Sequence, residues 1–435
     1  MIAAGLSVAA IVVAIAVGTI GRVNVGLVSI AFAFGIGHFM LGLPAREIVG
    51  GWPLGLFFML LGMTLLFGIA RVNGTLAILA ERVVAATVGD TRLLPPVFFL
   101  LAGVIAAVGA GNIVVCAIVL PIALTVAVDH RISHLLMATM VIAGSNAGGL
   151  SPLAPTGIIA NTLSAEQGFD IEAEIFTKQI VGQTILAVIL YVLLKGYRRR
   201  PSTPVTAAED AAAALRATTA AASRATPEPP AQPAAAERPS LDRAQKTTVA
   251  VLLAVVACIV GLGWDIGLTA FAGAVVLLFL RAAREAEALQ AIPWVTIVLV
   301  CGVTVLVKVA EHAGGIDLLA EAFTRIMNES TAAPVMALIG GTLSLVSSAS
   351  GVVLPTLIPT VPGLVAETGG DSTRIISSIV MGAHMVTNSP ISTLGALAVA
   401  SAGFGVDRER LFRQLFLVGI AGIFYAAVIV WLGIV

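Results

Sequence analysis

The sequence predicts an all-α polytopic membrane protein made of two inverted-topology repeats, each with one re-entrant hairpin and one broken helix. Composition is the first reason: 58% of the 435 residues are hydrophobic and 11% are charged, with a mean hydropathy of +1.04. A soluble domain of this size cannot bury so much apolar surface, so lipid must solvate most of it. The other two reasons are a series of long apolar segments and a match between the two halves of the chain.

Ten apolar segments are long enough to cross a bilayer as helices. The first has no basic region before it and no clear cleavage site, which favours a retained span over a signal peptide. The segments lie near 1–21, 25–43, 53–70, 134–164, 177–196, 247–263, 266–281, 292–310, 374–402 and 411–434.

Two more apolar segments, about 95–126 and about 333–364, have a break at their centres. Each arm would contain about a dozen residues, or roughly 20 Å of helix, whereas the apolar core of a bilayer is about 30 Å thick. The arms are therefore expected to be too short to cross. Both segments are predicted to be re-entrant hairpins, which return to the side from which they entered.

Basic residues between these segments fall mostly on one side of the predicted membrane, while the acidic stretch EQGFDIEAE at 166–174 lies on the other. The positive-inside rule makes the basic side cytoplasmic, so both termini are expected outside. Residues 201–243 are rich in Ala, Pro and Thr, which predicts a disordered cytoplasmic linker. This linker separates a first repeat at 1–200 from a second repeat at 244–435.

The two halves match each other in sequence. A shift of 238 aligns GAHMVTNSPISTLGALA with GSNAGGLSPLAPTGIIA, and both segments belong to predicted broken helices, about 134–164 and about 374–402. A shift of 240 aligns 52–81 with 292–321. Chance matching of Ala, Gly and Leu is the alternative, but matched prolines favour a duplication. The first shift pairs Gly144 with Gly382, Ser151 with Ser389, Pro152 with Pro390, Gly157 with Gly395 and Ala160 with Ala398.

Each half is predicted to contain an odd number of crossings, so the second repeat must insert upside down relative to the first. Inverted repeats with discontinuous helices are typical of secondary transporters, whose binding site lies near the membrane midplane. Unwound backbone at that depth is tolerated only where it is buried or lines a wet cavity. Its free N–H and C=O groups are then available as ligands.

The predicted centre has almost no ionisable side chains. No charged residue occurs at 135–164, and His384 is the only ionisable residue at 375–406. The N–H groups at the start of a half-helix suit a carboxylate, and the carbonyls at the end of a half-helix suit a sodium ion. Four predicted breaks supply such groups: GAGN at 109–112, GGLSPLAPTG at 148–157, SSASG at 347–351 and TNSPISTLG at 387–395.

Candidate ligands lie at these four breaks. The alternatives are that Asn112 only caps a turn, that Ser350 only packs, and that His384 bonds to neighbouring backbone, which we prefer to a proton-coupling role. The substrate-binding candidates are Asn112, Ile113, Ser151, Pro152, Thr156, Ser350, Gly351, Ser389, Pro390 and Thr393. The cation-binding candidates are Gly111, Asn112, Gly149, Ala349, Ser350, Thr387 and Asn388, with His384 as the candidate for proton coupling.

Four stretches carry a resemblance to a known family: AFAFGIGHFMLGL, GWPLGLFFMLLGMTLLFGIARVNGTL, GAGNIVVCAIVLPIAL and SNAGGLSPLAPTGIIANTL. Together they resemble the N-terminal region of the malonate/dicarboxylate carrier (MatC-like) family over most of residues 1–165. More distantly, the whole chain resembles the divalent-anion/sodium symporters of the ion-transporter superfamily. This resemblance implies a homodimer in which a transport domain moves as an elevator against a scaffold domain.

The hairpin tips of those symporters carry Ser-Asn-Thr, and this chain departs from that pattern. The first tip falls on Gly111-Asn112-Ile113, where only the Asn matches, and the second falls on Ala349-Ser350-Gly351, where no residue matches in place. These departures affect the expected cation sites and the substrate selectivity. The larger Ile113 side chain would make a tighter, more apolar site, which suits a small acid such as malonate.

The expected function is therefore import of a small dicarboxylate, malonate or a C4 acid, by sodium- or proton-coupled symport across the bacterial cytoplasmic membrane. No cofactor beyond the coupling ion and no nucleic acid is expected. The alternatives are another anion permease or a cation/proton antiporter of the same superfamily, although an antiporter should need an intramembrane carboxylate. A membrane enzyme would need a catalytic constellation that His384 alone does not supply.

Overall fold

The computed structural model describes residues 2–21, 23–86, 91–196, 241–403 and 406–435, and these residues form helices and connecting turns without a strand. The predicted all-α fold is confirmed. Seven of the described helices are long and apolar enough to cross a membrane. The predicted linker at 201–243 lies almost wholly outside the described residues.

The described part of the first half contains ten helices. They are α1 (Ile2–Gly21), α2 (Val25–Met40), α3 (Ala45–Gly50), α4 (Leu54–Val72), α5 (Thr75–Ala86), α6 (Leu94–Ala110), α7 (Asn112–Asp129), α8 (His134–Gly149), α9 (Pro155–Glu166) and α10 (Glu172–Leu193).

The described part of the second half contains ten helices in a matching order. Helices α4 and α14 begin 240 residues apart, and α8 and α18 begin 238 residues apart. The second set is α11 (Arg243–Leu262), α12 (Ile266–Phe279), α13 (Glu285–Gln290), α14 (Trp294–His312), α15 (Gly315–Thr324), α16 (Ala332–Val346), α17 (Ala349–Thr368), α18 (Ser372–Met385), α19 (Thr393–Ala400) and α20 (Arg408–Trp431).

Short polar residues begin the helices that matter for the site. Ser133 accepts a hydrogen bond from the backbone N–H of Leu136 at the start of α8, and Asp371 accepts one from Thr373 at the start of α18. Both satisfy N–H groups that the first turn of a helix leaves unpaired. Arg374 in the first turn of α18 is the last Asp, Glu, Lys or Arg before the break in either helix, so the apolar faces of α8 and α18 are free to pack.

Glycines allow close helix packing between the two halves. Helix α4 packs on α12, where Gly62 lies against the backbone of Gly267, and α14 packs on α2, where Gly302 lies against the backbone of Gly26. A Cβ atom at either site would overlap a carbonyl oxygen of the partner helix. In sequence, α4 aligns with α14 and α12 aligns with α2. The two glycine contacts are therefore equivalent, and each joins one helix of the first half to one helix of the second.

The hairpins and broken helices also exchange partners. Helix α6 packs on α8 of its own half, and α16 packs on α18. The second arms contact both halves: α7 packs on α8 and on α19, and α17 packs on α18 and on α9. Helix α10 covers both α8 and α18. Each hairpin is thereby packed against the broken helices of both halves.

The hairpin arms are longer than the dozen residues expected. Helix α7 has 18 residues and α17 has 20, and both are among the seven candidate spans. The expected length was too short because these helices continue beyond their apolar residues. Helix α17, for example, continues to Thr368 and is capped by Gly369, which has φ of 71°. The re-entrant course of the hairpins and the inverted insertion of the two halves stay predictions.

Candidate functional site

The first break, which we call break 1, is the non-helical stretch 150–154 between α8 and α9. Pro152 and Pro155 lack the N–H that a continuous helix needs, and Pro155 begins α9 at a position where proline is tolerated. Ser151 is 5% exposed, and its hydroxyl accepts a hydrogen bond from the N–H of Leu153. Gly157 leaves no room for a Cβ against the carbonyl of Ser151, which lets the turn close tightly.

The first tip, which we call tip 1, covers 109–112, where α6 ends and α7 begins. Gly109 has φ of 129° and Gly111 has φ of 75°, conformations that favour glycine. A Cβ at Gly111 would lie 3.1 Å from Cδ of Pro155, so tip 1 rests directly on break 1. A Cβ at Gly149 would lie 3.2 Å from Cβ of Asn112, which extends this contact to the last residue of α8.

A network of side-chain amides joins tip 1 to the second half of the chain. Nδ2 of Asn112 donates to Oδ1 of Asn146 over 3.1 Å. Nδ2 of Asn146 donates to Oγ1 of Thr387 over 2.8 Å and to the carbonyl of His384 over 3.2 Å. The Thr387 hydroxyl donates to the same carbonyl over 2.7 Å. We call Asn112, Asn146 and Thr387 the amide network.

Asn146 was not among the residues selected from the sequence. It is fully buried in α8, it is not ionisable, and it lies one turn before the break. The signal was available: an unpaired amide inside an apolar membrane helix is costly, so Asn146 needed partners from other elements.

The second break, which we call break 2, lies between α18 and α19. Helix α18 ends at Met385, a short 3₁₀ turn covers Val386–Asn388, and α19 begins at Thr393. Asn388 is fully buried; its Nδ2 donates to the carbonyl of Met385 over 3.3 Å, and its Oδ1 has no hydrogen-bond partner among the described residues. Gly395 packs against the carbonyls of Asn388 and Ser389, as Gly157 packs at break 1.

The second tip, which we call tip 2, covers 347–351, where α16 ends and α17 begins. The hydroxyl of Ser348 accepts from the N–H of Gly351 over 3.1 Å, and the hydroxyl of Ser347 donates to the carbonyl of Leu343 over 2.6 Å. The Cα of Gly351 faces the side chain of Leu299 in α14, which leaves no room for a Cβ. Tip 2 is therefore held by local bonds and by α14.

The predicted site residues do not all fall in one place. Gly111, Asn112, Gly149 and Thr387 meet at the amide network. Ser151, Thr156, Asn388, Ser389 and Pro390 are buried at the two breaks. Ile113 is 41% exposed, and Thr393 is also exposed at the start of α19. Ala349, Ser350 and Gly351 lie at tip 2, where the structure records no hydrogen bond from them to the amide network.

His384 is hydrogen-bonded to neighbouring backbone, which is the role that the sequence analysis preferred to proton coupling. Its ring is 1% exposed, and Nδ1 lies 2.7 Å from the carbonyl of Val380 one turn earlier. A carbonyl can only accept, so Nδ1 carries a proton and donates it. The backbone carbonyl of His384 is in turn the acceptor for the amide network. The residue therefore holds the end of α18 in place, and its role in proton coupling stays a prediction.

Comparison with known proteins gives a family match and a fold. The family "Dicarboxylate carrier protein MatC N-terminus" matches residues 1–149. MtrF of Neisseria gonorrhoeae, described as illuminating a class of antimetabolite efflux pumps, is 14% identical with a TM-score of 0.56; the match covers 89% of this chain and 82% of MtrF. The YdaH transporter of Alcanivorax borkumensis, described as having an unusual topology, is 13% identical with a TM-score of 0.57, covering 89% of this chain and 87% of YdaH.

No curated protein matches this chain in sequence. At identities this low, the two structures establish a shared fold and nothing more specific. The family match and the fold together indicate a multi-pass membrane transporter rather than an enzyme.

Proposed function

We propose that the protein is a secondary active transporter that imports a small dicarboxylate, malonate or a C4 acid, by sodium- or proton-coupled symport. The family match at residues 1–149 supports the substrate class, because it includes tip 1 and all of α8. Two members of the amide network, Asn112 and Asn146, lie within that match. The substrate would therefore contact the part of the chain that most resembles a dicarboxylate carrier.

The observation that carries the proposal is the amide network, which joins a tip of one half to the break of the other. It is uncharged, so a dianion there would be bound by N–H groups and hydroxyls and not by a Lys or Arg. The first N–H groups of α9 and α19 are free of intrahelical partners and are stabilised by an anion. Asn112, Ser151, Thr156, Ser389 and Thr393 are the proposed side chains around such a dicarboxylate.

The coupling ion would use the oxygen atoms at the same breaks. Oδ1 of Asn388 is buried and has no partner among the described residues, which makes it available as a neutral oxygen ligand. Carbonyls at the end of α8 near Gly149 and in the turn after α18 are further candidates. Neutral oxygens of this kind suit a sodium ion. Proton coupling through His384 is the alternative form of the same proposal.

An elevator mechanism and a homodimer belong to the proposal as consequences of the family resemblance. The packing of the helices is compatible with a division into two bodies. Helices α2, α4, α12 and α14 pair with one another through glycine contacts, whereas the hairpins and broken helices pack mainly among themselves. The first set would form the scaffold and the second set the moving domain.

The test is uptake of radiolabelled malonate by liposomes containing the purified protein, with an inward sodium gradient or an inward proton gradient. Uptake should require one gradient and be inhibited by unlabelled C4 dicarboxylates. Asn112→Ala should lower uptake about tenfold or more, because hydrogen bonds to charged groups are worth about 1.5–3 kcal/mol. Asn24→Ala, which removes a helix-cap amide in α2 outside the amide network, should leave uptake within about twofold. Absence of dicarboxylate uptake under both gradients would refute the proposed substrate class.

A further inference from the structure

Helices α10 and α18 bury a group of polar side chains that have no partners. Gln179 is 1% exposed, Gln183 is fully buried and Ser377 is 3% exposed. Among the described residues, neither amide atom of either glutamine nor the hydroxyl of Ser377 has a hydrogen-bond partner. Nothing in the proposed transport site uses these three residues.

Two pairs of residues set how α10 and α18 lie against each other. Near the start of both helices, Lys178 lies within electrostatic range of Asp371 and Arg374. Further along both, the Cα of Gly182 faces the side chain of Met381. The charge interaction and the Gly182–Met381 contact occur in the same order along both helices, so α10 and α18 run alongside each other in one direction.

This arrangement fixes the levels of the unpartnered groups. Gln179 and Ser377 lie one turn before the contact between Gly182 and Met381, and Gln183 lies beside it. Gln179 and Gln183 are four residues apart, so their side chains project from the same face of α10. The polar atoms therefore form a short series along the interface.

The series begins at a surface cavity, which we call the Asp371 pocket. This cavity of about 500 Å³ is lined by Asn328, Glu329, Ser330, Asp371, Arg374 and Ile375. One guanidinium nitrogen of Arg374 donates to the carbonyl of Val430 over 2.6 Å, while its Nε is buried and has no partner. Ser377 lies one turn further along α18 from Arg374, so the unpartnered atoms continue inward from the pocket.

The chemistry of these atoms selects the occupant. Each glutamine presents both an NH₂ donor and a carbonyl acceptor, Ser377 can do either, and Nε of Arg374 only donates. A metal cation would satisfy the oxygens and oppose the N–H groups, and an anion would do the reverse. Water donates and accepts, and buried polar groups that lack protein partners are commonly satisfied by ordered water.

We propose that the interface between α10 and α18 holds a chain of bound water, which starts at Nε of Arg374 in the Asp371 pocket and passes Ser377 and Gln179 to Gln183. The wet face lies on α18, the helix that ends at break 2. His384 is three residues beyond Met381 on that helix, so the chain brings solvent to within about one turn of the amide network. This hydration is independent of which solute the protein transports.

Hydroxyl-radical footprinting by X-ray radiolysis tests the proposal on the unmodified full-length protein. Radicals form from bound water and oxidise a neighbouring methionine sulfur, and Met381 is fully buried where it contacts Gly182 of α10. If water occupies the interface at the level where Met381 contacts Gly182, Met381 should be oxidised about tenfold faster than Met137 and Met336, which are equally buried. In a Gln179→Leu/Gln183→Leu variant its rate should fall to that of the controls. Oxidation of Met381 in the unmodified protein as slow as that of Met137 and Met336 would overturn the proposal.

Cysteine accessibility provides a second, matched test. Ser377→Cys and Ser378→Cys make the same change on adjacent positions of α18, but Ser378 is fully buried with its hydroxyl donating to the carbonyl of Ile375 over 2.6 Å. In protein whose Cys116, Cys258 and Cys301 are alanine, a small methanethiosulfonate reagent should label Ser377→Cys and spare Ser378→Cys. Equal resistance of the two would contradict a wet interface, and if either variant aggregates, the footprinting result decides.

Discussion

The two halves of the chain build the same order of helices but hold their hairpin tips in different ways. Tip 1 is attached through Asn112 and Asn146 to Thr387 in the other half. Tip 2 is held by Ser348 within its own loop and by the contact of Gly351 with Leu299 in α14. The order of helices is the same in both halves, while the side chains that fix the tips differ.

The aligned positions show where the divergence lies. At the offset of 238, Asn112 is replaced by Ser350, Asn146 by His384 and Gly149 by Thr387. The second half therefore supplies a hydroxyl and a carbonyl to the amide network, and the first half supplies both amides. Two halves with the same order of helices thus provide one asymmetric polar centre, and not two equivalent ones.

The largest effect on stability is expected from removal of the Asn146 side-chain amide, which links the other two members of the amide network. Asn146→Leu keeps the side-chain size but leaves Asn112 and Thr387 without their partner, which should lower the free energy of unfolding by about 2–4 kcal/mol. His384→Leu at the aligned position removes one bond within α18 and should cost about 1 kcal/mol. Denaturant or thermal unfolding in detergent measures both. Equal losses would show that the two halves are held alike.

The second-largest effect is expected from alanine substitutions at the tip glycines, Gly111 and Gly351, which should lower the free energy of unfolding by different amounts. Gly111→Ala forces a side chain into a backbone with φ of 75° and against Pro155, which should cost about 1–3 kcal/mol. Gly351→Ala meets the end of the Leu299 side chain, which can change rotamer at a cost of about 1 kcal/mol. The comparison needs only the two unfolding midpoints. A greater loss for Gly351→Ala would mean that α14 holds tip 2 more rigidly than tip 1 is held.

The smallest effect is expected from the ion pair between Lys308 and Glu166, whose lysine has no charged counterpart at the aligned position of the first half. Nζ of Lys308 in α14 lies 2.9 Å from a carboxylate oxygen of Glu166 in α9, and the position aligned with Lys308 is Gly68. Both side chains are about one third exposed, so Lys308→Gln should cost only about 0.2–1 kcal/mol, and less at high salt. Glu166→Gln should behave in the same way. A loss that is unchanged by salt would indicate packing by the lysine stem instead of charge pairing.

Much of the architecture was predictable from the sequence. Composition predicted the all-α membrane fold, and Pro152, Pro155 and Pro390 occur where the broken helices are interrupted, because proline removes the N–H that a helix needs. Arm lengths were underestimated, since hydropathy marks the apolar part of a helix and not its capped end.

The site was harder to predict, because its polar atoms are neutral. Asn146, Gln179 and Gln183 lie in apolar helices, where a search for ionisable groups gives no signal. An amide in an apolar helix is visible in the sequence and indicates a need for partners, but which distant residues supply them, or that none does, cannot be read from a single sequence. Thr393, selected for its position beside a break, is exposed at the start of α19, and its contact with substrate stays a prediction.

The most direct test of the account is a double-mutant cycle on gradient-driven malonate uptake, using Asn112→Ala, Thr387→Val and both together. If tip 1 and break 2 form one binding centre, each single variant should lose about tenfold or more in uptake. The double variant should then lose little beyond the worse single variant, because residues that act as a unit are not additive. Losses that multiply, or uptake unaffected by Asn112→Ala, would contradict a shared centre joined by Asn146.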